Sequence, residues 1–334
     1  GGGSIARVNA AGLLQVGPDS AGSTPGPICY GKGGEEPTIS DANMLLGRLN
    51  PERLNTGAGG VSLDTIREAF ATKLGGPLGL GAPEAAAAVL KIANAKMADA
   101  VRMVSISLGE DPRDFALFAF GGAGPLHACA IARELGVPRV LVPARPGITN
   151  ALGCIVADLR HDYVATVNKP LDACDMDEVH ALFARQVADG RAAIGRERVE
   201  IAEEKITHSV EMRFIGQTHL LRVPLPDAAP TRADLQALFE EAYFKRFQVK
   251  LPEIRPALVN VNSSVIGRRP EIDLAALIDG SGRKPTLAEA QTGTRQVFFE
   301  DWTETPVYWR DNLPLDADLA GPAIVEFEAV AFAH

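Results

Sequence analysis

The sequence predicts an α/β fold followed by an α+β region, and three patterns carry this prediction. Residues 115–143 give an apolar run, a glycine turn, a helix and a second apolar run, which is the order of a parallel β-α-β unit. Residues 84–108 have the apolar spacing of one long helix. After residue 200, apolar and polar residues alternate, as in antiparallel strands with one solvated face. We therefore predict an α/β domain over residues 1–165 and an α+β region over residues 166–334.

The elements follow from local patterns along the chain. Residues 1–60 are rich in Gly and Pro, which disfavour regular helices and central strands, so ordered loops with a hairpin near residues 5–16 are expected. Further helices are predicted over residues 62–74, 84–108, 126–135, 176–194 and 231–247. Strands are predicted over residues 115–120, 137–143, 206–214, 219–225, 257–266, 297–299, 306–309 and 323–327, the first of them buried on both faces.

Composition excludes several classes of function. The net charge of −9 argues against a nucleic-acid or anionic-membrane surface, because both need clustered Lys and Arg. No apolar run is long enough to cross a membrane, and four dispersed cysteines favour reduced thiols. We expect a cytoplasmic protein. The chain has no initial Met, its apolar pattern begins directly after Ser4, and its last residues lie within a predicted strand. We therefore expect a fragment of a longer protein.

The glycine turn Gly121-Gly122-Ala123-Gly124 is the strongest candidate for a ligand site. It connects a predicted strand to the N-terminus of a helix, where unpaired N–H groups and a positive partial charge favour anions. It is not a Walker loop, because it lacks Gly-Lys-Ser/Thr, and it is not a dinucleotide fingerprint, because its glycine spacing does not fit G-x-G-x-x-G. From the pattern alone, ligand contact and simple packing of helix on strand are equally good interpretations.

Two further segments contain candidate site residues. Asp41 and Asn43 lie at the start of a short apolar helix, where Asp41 either caps the helix or orients a hydroxyl or a metal-bound water. Gly2 and Gly3, within Gly1-Gly2-Gly3-Ser4, form a candidate phosphate-facing turn.

The histidines allow two interpretations. His127 follows the glycine turn and is either a catalytic base or a structural histidine. His208 and His219 are expected as cross-strand neighbours, either in a metal site or, as we favour, in a core or partner interface. The metal ligands are not predicted.

Taken together, these segments resemble the hydantoinase A/5-oxoprolinase family over nearly the whole chain. The resemblance lies in the collinear order of many motifs, none specific alone. They are Gly1-Gly2-Gly3-Ser4-Ile5-Ala6, Val16 to Gly22, Pro25 to Gly31, Pro37 to Asn43, Ile92 to Met97, Asp111 to Phe115, Phe120 to Ala128, Arg213 to Gln217 and Gly321 to Glu326.

The resemblance implies part of an actin-like (sugar kinase/Hsp70) ATPase fold. In that fold, hairpins upstream of Gly1 would hold the phosphates, and the turn at Gly121 and Gly122 would receive the adenosine. The resemblance thus implies ATP with Mg²⁺ as cofactors, and a B-type subunit as partner. Gly121, Gly122, Ala123, Gly124, Gly2 and Gly3 are the candidate cofactor-binding residues, and Asp41 and Asn43 are the candidate catalytic residues.

The implied reaction is hydrolysis of a small cyclic amide, such as a hydantoin, 5-oxoproline or another lactam. An amide is a poor electrophile, and phosphorylation of its carbonyl oxygen would let water open the ring. Two alternatives stay open: the nucleotide-binding subunit of an ATP-dependent ketone carboxylase, and a truncated, non-catalytic fragment that only binds a partner.

Overall fold

The computed structural model describes residues 2–53, 61–273, 281–327 and 330–333. The chain folds into two compact units. Unit 1 comprises residues 1–152 and 274–334, and unit 2 comprises residues 153–273. The domain division predicted between residues 165 and 166 stays a prediction. The two compact units instead divide at residue 153, and residues 274–334 belong to unit 1.

A hairpin and three helices form the N-terminal part of unit 1. Strands β1 (Ser4–Val8) and β2 (Leu14–Ser20) pair antiparallel. Helices α1 (Ile39–Leu45) and α2 (Leu63–Phe70) pack on the long helix α4 (Ala82–Leu108). A π-helical turn and the short helix α3 (Gly76–Leu78) follow α2, which therefore ends before the predicted residue 74. The core here is aliphatic and aromatic, and its fully buried members include Ile66, Phe70, Leu74, Val89 and Ala86.

Helix α4 (Ala82–Leu108) confirms the predicted long helix. Alanines give its first turns high helix propensity, and Gly109 ends it in the left-handed conformation, with φ 74°. Its last turns are poorly covered: Met103, Val104, Ile106 and Leu108 are each at least 60% exposed.

The β-α-β unit is present, but its first strand is not buried on both faces as the sequence predicted. Strands β3 (Ala116–Phe118) and β4 (Arg139–Leu141) pair parallel around helix α5 (Gly124–Leu135). Phe118 is 50% exposed and Leu141 is 54% exposed. The apolar run predicts a strand whose two faces are both covered by other layers. Strand β3 leaves Phe118 uncovered, and it pairs with β4 alone among the described strands.

The last part of unit 1 is a four-stranded sheet in the order β12-β11-β10-β9. Its members are β9 (Gln291–Phe298), β10 (Trp302–Trp309), β11 (Ile324–Phe327) and β12 (Val330–Ala333). The short helix α9 (Leu287–Ala290) precedes β9, and Phe298 packs against the core that α1 and α4 share.

Unit 2 is a four-stranded antiparallel sheet, in the order β5-β8-β6-β7, covered by two helices. The strands are β5 (Leu159–Pro170), β6 (Glu203–Phe214), β7 (Leu221–Leu225) and β8 (Pro256–Arg268). The helices are α7 (Met176–Arg196) and α8 (Arg232–Phe247), and α6 (Thr149–Val156) leads into the unit. Helix α7 packs on β5 and β8, while α8 packs on β7.

Two expectations about unit 2 have clear outcomes. The alternation after residue 200 gives strands β6 and β7, as predicted. His208 and His219 are not cross-strand neighbours, because β7 begins at Leu221 and His208 lies opposite Leu225. His208 donates to or accepts from Ser263 and packs edge-on against Phe183, and His219 packs against Phe247. Within the described part of the chain, every helix is too short or too polar to span a bilayer.

Candidate functional site

The glycine turn lies between β3 and α5 and leaves its backbone accessible. A Cβ atom built at Gly121 or Gly122 meets no other atom within 4 Å. Gly121 has a φ of 82°, in the left-handed region that favours glycine, and its N–H donates to Pro146 O at 2.7 Å. No side chain caps α5 at Ala123. The turn therefore presents the uncapped N-terminus of a 12-residue helix.

Gly2 and Gly3 lie against protein atoms. A Cβ at Gly2 would collide with the Ser40 hydroxyl, and one at Gly3 would lie 3.0 Å from the Ser20 hydroxyl. The Gly2 carbonyl accepts from Ser40 N at 2.8 Å, so the segment is held at the start of α1. Packing thus explains both glycines, and their contact with phosphate stays a prediction. Gly1 lies outside the described residues.

Asp41 is fully buried and uses its carboxylate to hold backbone. It accepts hydrogen bonds from Cys29 N at 2.7 Å, Ile28 N at 3.2 Å and Thr38 N at 2.9 Å. The Thr38 hydroxyl also donates to it, at 2.7 Å. Thr38 is the N-cap of α1 and Asp41 is the third helical residue of a capping box, so Asp41 is not itself the cap. These contacts join the helix to the loop at Ile28 and support a structural role.

Asn43 has one satisfied and one unsatisfied polar atom. Its Nδ2 donates to Ile39 O at 3.0 Å, one turn back in α1. Its Oδ1 is buried and has no hydrogen-bond partner. Both Asp41 and Asn43 are buried in the described structure. Their predicted catalytic roles stay predictions.

His127 lies just after the glycine turn and is 4% exposed. Its Nδ1 lies 2.7 Å from Asn94 Oδ1 on α4. Burial, and then the positive charge of Arg48, lower the pKa of His127 to about 4. The imidazole is therefore neutral at neutral pH. The sequence singled out His127 but not Arg48, which no local pattern marks.

The other candidate groups are the cysteine thiols and the side chains that could bind a metal ion. All four cysteines are free thiols. Burial raises the pKa of Cys29, and the Asp41 carboxylate raises it further, so the thiol stays protonated. Among the described residues, no group of three or more His, Cys, Asp and Glu side chains is arranged to hold a metal ion.

Comparison with known proteins gives consistent matches along the chain. The family model described as Hydantoinase/oxoprolinase matches residues 1–163, and the Hydantoinase/oxoprolinase C-terminal domain matches residues 175–333. The chain is 35% identical to caprolactamase subunit alpha of Pseudomonas jessenii, over 98% of this chain and 48% of that protein. It is 31% identical to the acetophenone carboxylase gamma subunit of Aromatoleum aromaticum, over 98% of this chain and 46% of that protein.

Comparison with a solved structure also gives a relative from this group. The crystal structure of ATP-dependent caprolactamase from Pseudomonas jessenii superposes with a TM-score of 0.79 and 32% identity, over 100% of this chain and 49% of that one. The α/β fold class implied by the resemblance is therefore confirmed. The chain spans about half the length of these relatives. Both parts of the chain match the same family, and the chain belongs to the hydantoinase/oxoprolinase family.

Proposed function

We propose that this chain is part of an ATP-dependent enzyme that hydrolyses a cyclic amide. The observation that carries the proposal is the match to caprolactamase, which extends over almost all of this chain in sequence and over all of it in structure. A caprolactamase opens a lactam, and the crystallised relative is named ATP-dependent. The particular ring is left to experiment.

The glycine turn is the proposed nucleotide contact. Its open backbone at Gly121, Gly122, Ala123 and Gly124 and the uncapped end of α5 fit a nucleotide lying against main-chain N–H groups. We also propose that Gly2 and Gly3 face the phosphates. ATP supplies a phosphoryl group that activates the amide carbonyl towards water. Mg²⁺ is proposed with it, since this ion binds largely through phosphates and water and needs few protein carboxylates.

Asp41 and Asn43 are proposed to act near the reacting groups by fixing the backbone around them. The hydrogen bonds that Asp41 accepts hold the loop at Ile28 and Cys29 on the start of α1, the helix that also meets Gly2 through Ser40. A rigid loop beside the substrate would keep reactive geometry without Asp41 itself touching the substrate.

A ketone carboxylase is the second candidate. The acetophenone carboxylase gamma subunit also matches 98% of this chain, at 31% identity against 35% for caprolactamase subunit alpha. A carboxylase needs bicarbonate and a ketone in place of the cyclic amide. The relatives are named as subunits, so we propose a partner subunit of the B type in either case. A non-catalytic, partner-binding role for this chain is the third candidate.

Phosphate release separates these candidates. The protein that carries this chain, with its partner subunit, is supplied with ATP and Mg²⁺ and then with lactams, hydantoins and 5-oxoproline, or with ketones plus bicarbonate. We expect stimulation by a cyclic amide without bicarbonate. Stimulation only by a ketone with bicarbonate would assign the carboxylase role, and no stimulation by either would favour the non-catalytic role. The isolated 334 residues are expected to release no phosphate.

A further inference from the structure

The segment after β4 is hydrogen-bonded to the glycine turn at two points. The Ala119 N–H donates to Leu141 O at 2.8 Å, and the Gly121 N–H donates to Pro146 O at 2.7 Å. Pro146 is buried, whereas Gly121 has a φ of 82° and the wide conformational freedom of glycine. The bond to Pro146 therefore restrains the turn at one of its most adaptable residues. Residues 142–145, between the two acceptors, are called the bridging loop below.

The bridging loop is held by a turn that follows β10. This β10 turn is the short 3₁₀ segment Arg310–Asn312. The Arg310 guanidinium donates to Val142 O at 3.0 Å. The Arg145 guanidinium donates to both carboxylate oxygens of Asp311, each at 3.2 Å. These contacts span 168 and 166 residues of sequence and lie within unit 1.

Each bond to the glycine turn lies one residue away from a contact with the β10 turn. Val142 follows Leu141, and Arg145 precedes Pro146. A shift of the β10 turn would therefore reach the glycine turn through single peptide units, which are planar and stiff. The Arg145 and Asp311 side chains are 23% and 37% exposed, so solvent screens their ion pair less than a fully exposed one.

The β10 turn is itself held by the sheet of unit 1. Strand β10 pairs with both β9 and β11. The Arg310 guanidinium carbon lies 5.4 Å from the ring centre of Phe327, a buried residue of β11. On the other side, Arg283 donates to Leu313 O at 2.9 Å, just beyond the turn. A sheet thus lies at one end of this series of contacts, and the glycine turn lies at the other.

We propose that Arg310 and Asp311 are positioning residues for the nucleotide, which act through the bridging loop on the glycine turn. This rests on the proposed function, in which that turn is the nucleotide contact. Main-chain N–H groups bind a ligand tightly when they are already aligned, because the apparent affinity falls with the populated fraction of the binding conformation. The contacts to the β10 turn keep this fraction high.

Two variants break the contacts at different points. Asp311→Asn removes the charge that holds Arg145, and Arg310→Met removes the donor to the bridging loop. Asp311→Glu keeps a carboxylate and is the conservative variant. Asp189→Asn, which removes one member of an exposed ion pair on α7 in unit 2, is the control.

Hydrogen exchange of the intact protein without nucleotide measures the turn directly. Peptides that contain Gly121, followed by mass spectrometry, are expected to exchange about tenfold faster in Asp311→Asn and Arg310→Met than in the wild type. Asp189→Asn is expected to exchange like the wild type. Urea unfolding of the same variants is expected to change little, which separates a local effect on the turn from a loss of global stability.

Nucleotide binding measures the consequence. The Kd of a non-hydrolysable ATP analogue is expected to rise about fivefold or more in Asp311→Asn and Arg310→Met, and about twofold at most in Asp311→Glu. In phosphate release by the intact protein with its partner subunit, the KM for ATP is expected to rise with little change in kcat. Saturating ATP selects the aligned turn, so the effect lies in binding.

Unchanged exchange at Gly121 in both variants would overturn the proposal. Faster exchange with an unchanged Kd, or equal losses of affinity in Asp311→Glu and Asp311→Asn, would also overturn it. A wild type that binds no nucleotide would refute the proposed nucleotide contact and, with it, the positioning role. Because the exchange measurement contains no nucleotide, it distinguishes that failure from a failure of the contacts to hold the turn.

Discussion

At the scale of single residues, the buried carboxylate of Asp41 holds backbone from two separate segments, the start of α1 and the loop at Ile28 and Cys29. A carboxylate at the third residue of a helix is expected to complete a capping box, which Asp41 does with Thr38. Its bonds to Ile28 N and Cys29 N span 13 and 12 residues and depend on how the loop folds back. No local rule predicts such contacts, because loop geometry is set by tertiary packing.

Asp41→Asn is expected to destabilise the protein by about 2 kcal/mol, because an amide replaces a buried acceptor of four hydrogen bonds and turns a donor toward donors. Urea unfolding measures this change. Asp64→Asn, at an exposed position on α2, serves as the matched control and is expected to change stability little. Unchanged stability of Asp41→Asn with lost activity would instead assign Asp41 a direct chemical role.

His127 gives a prediction about pH. Its pKa is about 4 in the folded protein and about 6.5 in the unfolded chain, so the unfolded state binds more protons between these values. The folded state is therefore favoured above pH 6.5, and this advantage is lost as the pH falls towards 4. We expect the wild type to lose on the order of 3 kcal/mol more than His127→Gln over this range.

Urea unfolding of both proteins at a series of pH values measures the difference. His180→Gln, in unit 2, controls for the loss of an imidazole as such. Parallel stability curves for wild type and His127→Gln would contradict the buried, neutral state of His127.

At the scale of helices and strands, local patterns predicted most elements. Helix α4 was predicted almost to its boundaries, because its alanines, its apolar spacing and Gly109 all favour the same helix. The helix predicted over residues 231–247 is α8, and Thr231 and Asp234 form a complete capping box at its start. The order β5-β8-β6-β7 was not predicted, since pairing β8 between β5 and β6 depends on residues far apart in sequence.

The glycine turn offers an element-scale test of nucleotide binding. Gly122→Val places a side chain in open space next to α5, so the fold should tolerate it while a nucleotide on that backbone should not. We expect the nucleotide Kd to rise about tenfold or more in the intact protein, measured by titration calorimetry. Gly195→Val, also in open space but in unit 2, is the control. An unchanged Kd would remove Gly122 from the nucleotide site.

Helix α7 contains two glycines that test its packing on the sheet. A Cβ at Gly190 would collide with the Val265 side chain on β8, whereas one at Gly195 meets nothing within 4 Å. Gly190→Ala is therefore expected to destabilise by about 1–3 kcal/mol through overpacking. Gly195→Ala is expected to be neutral or to stabilise by up to about 1 kcal/mol, because alanine favours helices. Equal effects in urea unfolding would contradict the close approach of α7 to β8.

At the scale of the whole molecule, the sequence could not predict which surfaces would be covered. The run at Phe118 is as apolar as a central strand, yet β3 and β4 form a two-stranded sheet with exposed side chains. The end of α4 is exposed in the same unit. Apolar residues favour burial, but the local sequence does not determine which other surface covers them. The relatives are about twice as long as this chain.

The central claim is that a cyclic amide is opened at the expense of ATP. It is tested most directly by measuring whether ring opening and phosphate release are coupled. The intact protein with its partner subunit is given the cyclic amide that stimulates phosphate release, and ring-opened product and phosphate are measured together. We predict one phosphate for each ring opened and no ring opening when ATP is omitted. Ring opening without ATP, or phosphate release without ring-opened product, would contradict the account.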